Sequence, residues 1–139
     1  MMPAELGHGA PHQGALSRLA GAKILVVEDE PFIAFDLMLA IEDAGGKAIG
    51  PASTVREALE LIEMGIPDGA VLDVNLPDGN VGPVIDALPA WTSIVVHTGV
   101  GLPPEVRAAH PDIPVFAKPT PPLQLLGQLA SALERGKRA

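Results

Sequence analysis

Cysteine is absent from this 139-residue sequence, and basic residues are scarce, with nine Lys and Arg against 17 Asp and Glu. The lack of cysteine excludes disulfides, thiolate metal sites and a cysteine nucleophile, and it fits a reducing compartment. The formal net charge of −8 argues against a nucleic-acid partner, because phosphate binding needs clustered Lys and Arg. No hydrophobic run has the length of a signal peptide or a membrane span, so we expect a cytoplasmic protein with no membrane partner.

The hydrophobic fraction of 47% is sufficient for one core, and we expect a single domain. Residues 1–20 are rich in Gly, Ala, Pro and His without a clear period, which predicts an N-terminal tail. The domain itself is predicted over residues 21–136. A basic C-terminal tip follows at residues 137–139.

Five β-prone segments alternate with five helical segments along this domain. Strands are predicted at residues 23–27, 47–49, 70–72, 93–97 and 115–117, and helices at 31–44, 54–64, 81–88, 103–109 and 123–135. The apolar spacing of the last helix predicts an inner face of Leu123, Leu126, Leu129 or Ala130, and Leu133. The alternation predicts an α/β fold with a doubly wound parallel sheet, right-handed crossovers and helices on both faces.

Asp73 is the first candidate for a working residue. It directly follows the apolar segment Ala70-Val71-Leu72, and the turn residues Pro77, Asp78 and Gly79 come soon after it. This pattern predicts that Asp73 lies at the carboxyl end of a buried strand. The strand ends of a parallel sheet share one rim, where open α/β sheets bind ligands. The same rim is predicted to gather Glu28, Asp29, Thr98 and Lys118.

Three carboxylates on one rim, those of Glu28, Asp29 and Asp73, repel each other unless they hold a proton or a cation. Oxygen ligands without His or Cys favour Mg²⁺ over zinc, and a site with few carboxylates suits phosphoryl chemistry. Asp73 is suited to act as the nucleophile, since carboxylates form aspartyl phosphates. Thr98 is suited to donate a hydrogen bond to phosphoryl oxygens, and Lys118 to balance their charge.

Four segments resemble, in order, the signature segments of the receiver domain of two-component response regulators. They are Val26-Val27-Glu28-Asp29-Glu30-Pro31, Leu72-Asp73-Val74-Asn75-Leu76-Pro77, Val96-His97-Thr98-Gly99 and Ala117-Lys118-Pro119. The resemblance extends over about residues 23–133. It implies a flavodoxin-like five-stranded parallel sheet of order 2-1-3-4-5 with five helices. It also implies a phosphoacceptor signalling protein rather than an enzyme, phosphorylated by a histidine kinase or a phosphotransfer protein.

The resemblance further implies a role for each matching residue. Asp73 accepts the phosphoryl group, and Asp29 and Asp73 ligate Mg²⁺ together with the backbone carbonyl of Asn75. Glu28 assists the metal through water. Thr98 reorients toward the phosphoryl group, and Lys118 pairs with it. Because few residues follow Lys118, we expect no output domain and a downstream protein partner, as in stand-alone receivers.

The sequence departs from common receivers at two places. A Tyr or Phe usually stands three residues before the Lys as a rotamer switch, but here that position is Val115, and Phe116 is predicted to point to the opposite face. The segment Thr98-Gly99-Val100-Gly101 resembles a subgroup of stand-alone receivers named for a Phe-Ala-Thr-Gly motif, with Val96-His97 in place of Phe-Ala. The usual relay from Thr to an aromatic residue is therefore not expected.

Two other interpretations remain open. An aspartyl-nucleophile phosphatase of the haloacid dehalogenase type also places an Asp after a strand, but it needs a second acid two residues later, where this chain has Asn75. The other interpretation is a receiver-fold interaction module that is never phosphorylated.

A second apolar stripe on the first helix, formed by Phe32, Phe35 and Leu39, is predicted to be a contact surface. In receivers this helix and the loop after the Lys, which begins here at Pro119, are where the histidine-containing helices of the kinase dock. The alternatives are that the N-terminal tail or a homodimer covers the stripe.

Overall fold

A computed structural model describes residues 17–138 of the chain, with side chains from residue 18 to residue 133. Its strands are β1 (Lys23–Val27), β2 (Lys47–Ala52), β3 (Gly69–Leu72), β4 (Asn75–Leu76), β5 (Gly79–Asn80), β6 (Ser93–Thr98) and β7 (Val115–Ala117). Five of them form a parallel sheet in the order β2-β1-β3-β6-β7, whereas β4 and β5 form a separate antiparallel ribbon. The predicted flavodoxin-like order is confirmed.

The described chain has five α-helices, four of which connect strands of the sheet while the fifth follows the last strand. They are α1 (Pro31–Asp43), α2 (Val55–Met64), α3 (Gly82–Ala87), α4 (Pro104–Ala109) and α5 (Pro122–Arg138). The helices α1 and α5 pack on one face of the sheet, and α2, α3 and α4 pack on the other. The doubly wound architecture predicted from the alternation of segments is therefore confirmed.

Strand β1 shows why a continuous apolar run specifies this architecture. Successive side chains of a strand point to opposite faces of the sheet. Ile24 and Val26 accordingly pack with α1 and α5, and Leu25 and Val27 pack with the opposite layer. All four are at most 1% exposed, so the strand is covered on both faces, as is typical of a central strand of a parallel sheet.

Strand β2 is longer than the predicted segment, because it continues through Gly50 and Pro51 to Ala52. Gly50 has a φ of +112°, and a Cβ at this position would lie 2.8 Å from the carbonyl oxygen of Val26. Glycine permits this close approach, and the pairing of β1 with β2 shifts register here. Pro51 is tolerated because β2 is an edge strand.

The inner face of α5 differs from the prediction at its first turn. Leu123 is 45% exposed, whereas Leu125 is fully buried together with Leu126 and Leu129. The helix begins at Pro122, so its phase turns position 123 toward solvent and position 125 toward the sheet.

Residues 1–16 of the predicted N-terminal tail lie outside the described part of the chain, and residues 17–20 lie within it. Ser17–Leu19 forms a 3₁₀ turn, and Leu19 is fully buried against the α1 and α5 layer. At the other end, α5 continues to Arg138, into the segment predicted as a basic tip. The packed unit therefore begins before residue 21.

Leu125→Ala should lower the free energy of unfolding by about 2–5 kcal/mol, because it removes a fully buried side chain from a packed core. Leu123→Ala is the matched control, with an expected loss of about 0.5 kcal/mol or less on a half-exposed position. Chemical denaturation of the two variants measures the difference. Equal losses would contradict the assignment of the inner face.

Candidate functional site

Two acidic residues and a lysine lie close together at the carboxyl ends of β1, β3 and β7. Glu28, Asp73 and Lys118 each follow the last residue of a strand directly. Their backbone N–H groups continue the sheet pairing, donating to the carbonyl oxygens of Ala52, Val27 and Thr98, respectively. The sheet therefore fixes the backbone of all three residues.

An ion-pair network joins these side chains. The Lys118 ammonium lies 3.0 Å from Oε1 of Glu28 and 3.1 Å from Oδ2 of Asp73. The side chains of Glu28 and Asp73 are 2% and 8% exposed, so both carboxylates are almost removed from water. Backbone donors complete the network: Glu30 N–H donates to Glu28, and Val74 N–H donates to Oδ1 of Asp73.

Asp29 adds a third carboxylate, and it is exposed at the mouth of the site. Carboxylate oxygens of Glu28, Asp29 and Asp73 lie within 4.8 Å of one another. This all-oxygen donor set, with one side open to solvent, fits a hard divalent cation that retains several water ligands. Asn75 lies in the adjoining β4 and is exposed. The structure thus brings the three predicted acidic residues together.

Thr98 ends β6 beside the Lys118 backbone. Thr98 is only 2% exposed. Its hydroxyl oxygen accepts a hydrogen bond from Val100 N–H at 3.2 Å, and its carbonyl oxygen accepts one from Lys118 N–H. Within β7, Val115 and Phe116 pack on opposite faces of the sheet. The prediction for Phe116 is therefore confirmed, and β7 has no aromatic side chain on the face of Val115.

Burial dominates the electrostatics of this site. It raises the pKa of Glu28 from 4.5 to about 7, and the charge of Asp73 adds to this effect, although Glu30 N–H and Lys118 oppose it. Burial alone would lower the pKa of Lys118, but hydrogen bonds to Glu28 and Asp73 outweigh it and raise that pKa. Lys118 therefore stays charged, and Glu28 gains a proton more readily than an ordinary glutamate does.

The predicted docking residues are on the surface. Phe32, Phe35 and Leu39 are 85%, 61% and 47% exposed, so the second stripe of α1 is uncovered within the described chain. Pro119 is exposed in the loop after β7. A cleft of about 390 Å³ separates this loop from α1, with Leu37 and Leu125 among its lining residues. Of the predicted docking residues, Pro119 lines this cleft, whereas Phe32, Phe35 and Leu39 lie outside its lining.

Two residues near the site were not predicted. Asp78, in the turn of the β4–β5 ribbon, accepts hydrogen bonds from Val55 N–H and Arg56 N–H, and so caps α2. These bonds lower the pKa of Asp78. His97 is 4% exposed and accepts a hydrogen bond from Thr120 N–H. Both contacts join residues more than 20 positions apart, so no local sequence pattern predicts them.

Comparison with known proteins gives relatives of one kind, although no family model matches the chain. The phyllosphere-induced regulator PhyR of Methylorubrum extorquens is 33% identical over 116 residues, which cover 80% of this chain and 43% of that protein. A signal receiver domain from Vibrio parahaemolyticus has a TM-score of 0.72 and 25% identity, and the match covers 85% of this chain and 94% of that one. The anti-anti-sigma factor PhyR of Bartonella quintana has a TM-score of 0.69 and 20% identity over 88% of this chain and 51% of that one, which supports the fold alone.

The chain therefore has the fold of response regulator receiver domains and resembles them in sequence. Receiver domains of this kind act in two-component signalling, and the relatives are named as regulators rather than enzymes. The chain spans less than half the length of the curated PhyR relative that it matches. No helix within residues 17–138 is long and apolar enough to cross a membrane.

The raised pKa of Glu28 predicts a pH effect on stability without metal. Between pH 4.5 and about 7 the native state binds a proton that the unfolded state has released, so the contribution of Glu28 is complete below pH 4.5 and is lost as pH rises through 7. In Mg²⁺-free buffer, the melting temperature of the parent relative to Glu28→Gln should therefore fall between about pH 5 and about pH 8. A difference that does not change with pH would contradict the shift.

Proposed function

We propose that this receiver domain accepts a phosphoryl group on Asp73, in a Mg²⁺-dependent reaction, from the phosphohistidine of a histidine kinase or a phosphotransfer protein. The observation that supports this most is the network at the strand ends, where a buried carboxylate has a lysine ammonium at 3.1 Å and two further carboxylates close by. A structural ion pair needs one carboxylate, whereas this site holds three and is open beside Asp29.

In the transfer step, a carboxylate oxygen of Asp73 attacks phosphorus and forms the acyl phosphate bond. The bond from phosphorus to the imidazole nitrogen of the donor breaks, and its electron pair returns to the imidazole. Lys118 is near enough to neutralise the phosphoryl oxygens, because its ammonium already contacts Asp73. The hydroxyl of Thr98 is the proposed hydrogen-bond donor to these oxygens.

Glu28, Asp29, Asp73 and the backbone carbonyl of Asn75 are the proposed metal-binding groups. A bound Mg²⁺ would offset the negative charge of the phosphoryl oxygens and the carboxylates. Asp29 is the ligand best placed to admit the ion, since it is exposed while the other two carboxylates are buried.

Asp73→Asn should abolish phosphorylation and leave the fold intact, because the amide is nearly isosteric with the carboxylate but is a poor nucleophile. The parent, incubated with Mg²⁺ and a small phosphodonor, should gain the mass of one phosphoryl group in intact-protein mass spectrometry. Asp43→Asn, at the exposed end of α1, is the matched control and should be labelled like the parent.

The same spectra separate the other two interpretations. Rapid multiple turnover of the phosphodonor without a stable adduct would indicate a phosphatase. The absence of any adduct on the parent would indicate an interaction module that is not phosphorylated, and equal labelling of Asp73→Asn would remove Asp73 as the acceptor.

The exposed stripe of Phe32, Phe35 and Leu39 is the proposed docking surface for the histidine-containing helices of the kinase, together with Pro119. Its position supports this assignment, because α1 begins four residues after Val27 at the mouth of the site. A homodimer through the same stripe is the competing occupant. A downstream protein partner is also proposed, since the PhyR relative that is 33% identical to this chain is named as a regulator.

Phe35→Ser should slow phosphotransfer from a histidine kinase that labels the parent, by roughly tenfold, and should spare labelling by a small phosphodonor. Met64→Ser is the matched control, because Met64 is 84% exposed at the far end of α2 and should change neither rate. Equal slowing with both donors would mean damage to the site or the fold. No slowing with either donor would assign the stripe to the N-terminal tail or to a homodimer.

A further inference from the structure

His97 is a buried polar residue that the proposed reaction does not yet use. It lies on β6 directly before Thr98, and it is only 4% exposed. Its side chain lines the floor of the cleft between α1 and the loop that follows β7, beside Ile33, Leu37 and Leu125. Packing against these three apolar side chains gives no reason for a histidine here, because a leucine would fill the same space without burying a polar atom.

Only one of the two ring nitrogens of His97 has a hydrogen-bond partner. Thr120 N–H donates to Nε2 at 3.2 Å, so Nε2 is unprotonated and the neutral ring carries its proton on Nδ1. Nδ1 is buried and has no partner within the described chain. A buried imidazole with one unpaired nitrogen is less favourable for stability than an apolar side chain of similar size. The advantage of histidine at this position therefore lies in the hydrogen bond that Nε2 accepts.

That bond fixes the segment that carries Lys118. The Lys118 N–H donates to the carbonyl of Thr98 at 2.9 Å, and Thr120, two residues later, donates to His97. Two consecutive residues of β6 thus hold the backbone on either side of the Lys118 side chain. The hydroxyl of Thr120 also donates to the carbonyl of Ala117 and closes the loop.

A lysine needs such support more than other cations do. Its side chain is a flexible stem with a point charge at its end, so the direction of the stem depends on its backbone. The Lys118 ammonium must lie within about 3 Å of both Glu28 and Asp73, and a small rotation of the backbone moves it away from one of them.

We propose that His97 is the positioning residue for Lys118: through its hydrogen bond with Thr120 N–H, it holds the Lys118 backbone so that the ammonium reaches Asp73. This inference rests on the proposed function. It predicts that the acceptor atom at Nε2, rather than the bulk of the ring, sustains the rate of phosphoryl transfer.

Three substitutions separate the acceptor atom from the bulk. In His97→Gln the amide oxygen lies near the place of Nε2 and can accept from Thr120 N–H, whereas in His97→Asn it lies near Nδ1 and cannot reach. His97→Leu fills the space without an acceptor. With Mg²⁺ and a saturating small phosphodonor, the labelling rate of Asp73 should fall on the order of tenfold in the Leu and Asn variants and recover to within about threefold of the parent in the Gln variant.

His110→Leu is the control for loss of a histidine elsewhere, because the His110 ring bonds to Asp86 in the opposite helix layer and its loss should leave the rate unchanged. Thermal melts of every variant are recorded, and rates are measured well below the lowest melting temperature. Equal rates in the parent and all three His97 variants would overturn the inference, as would a loss that is the same in Gln, Asn and Leu. If the parent itself takes no label, the proposed function fails instead.

Discussion

The burial of two carboxylates at the ends of adjacent strands is the constraint on which the rest of this structure depends. Glu28 and Asp73 are almost inaccessible to water, and charged groups are rarely buried unless a counter-charge accompanies them. Lys118 supplies that charge from β7, across the sheet. The position of the loop after β7, the cleft beside it and the backbone bonds from β6 all follow from the need to bring this ammonium to the two carboxylates.

Charge balance connects this network to the proposed metal. One ammonium cannot neutralise three carboxylates. Burial, with a smaller contribution from the charge of Asp73, raises the pKa of Glu28 and favours a proton there. A divalent cation beside Asp29 would supply the missing positive charge without a proton. Proton and metal therefore compete for one cluster, while Lys118 keeps its charge in both cases because the pair of carboxylates raises its pKa.

The sequence predicts those features that depend on local patterns. The continuous apolar run of β1 and the turn residues after Asp73 predict the sheet and its rim, since each pattern lies in neighbouring residues. Features that depend on pairs of distant residues were not predicted. The continuation of β2 depends on how closely Gly50 approaches Val26, the cap of α2 comes from Asp78, and the ribbon of β4 and β5 is only two residues long. The phase of α5, which buries Leu125 instead of Leu123, depends on where the helix begins.

Strand β6 is the physical connection between the site and the surface of α1. Adjacent residues of a strand face opposite sides of the sheet, so Thr98 serves the rim while His97 enters the layer of α1 and α5. In this chain Val115 replaces the aromatic residue that common receivers use as a switch, which removes the side-chain route along β7. A change at Lys118 instead acts on its own backbone, and that backbone is bonded to Thr98 on one side and, through Thr120, to His97 on the other. The loop after β7, which carries the exposed Pro119 of the proposed docking surface, is thus the segment that any displacement of Lys118 moves first.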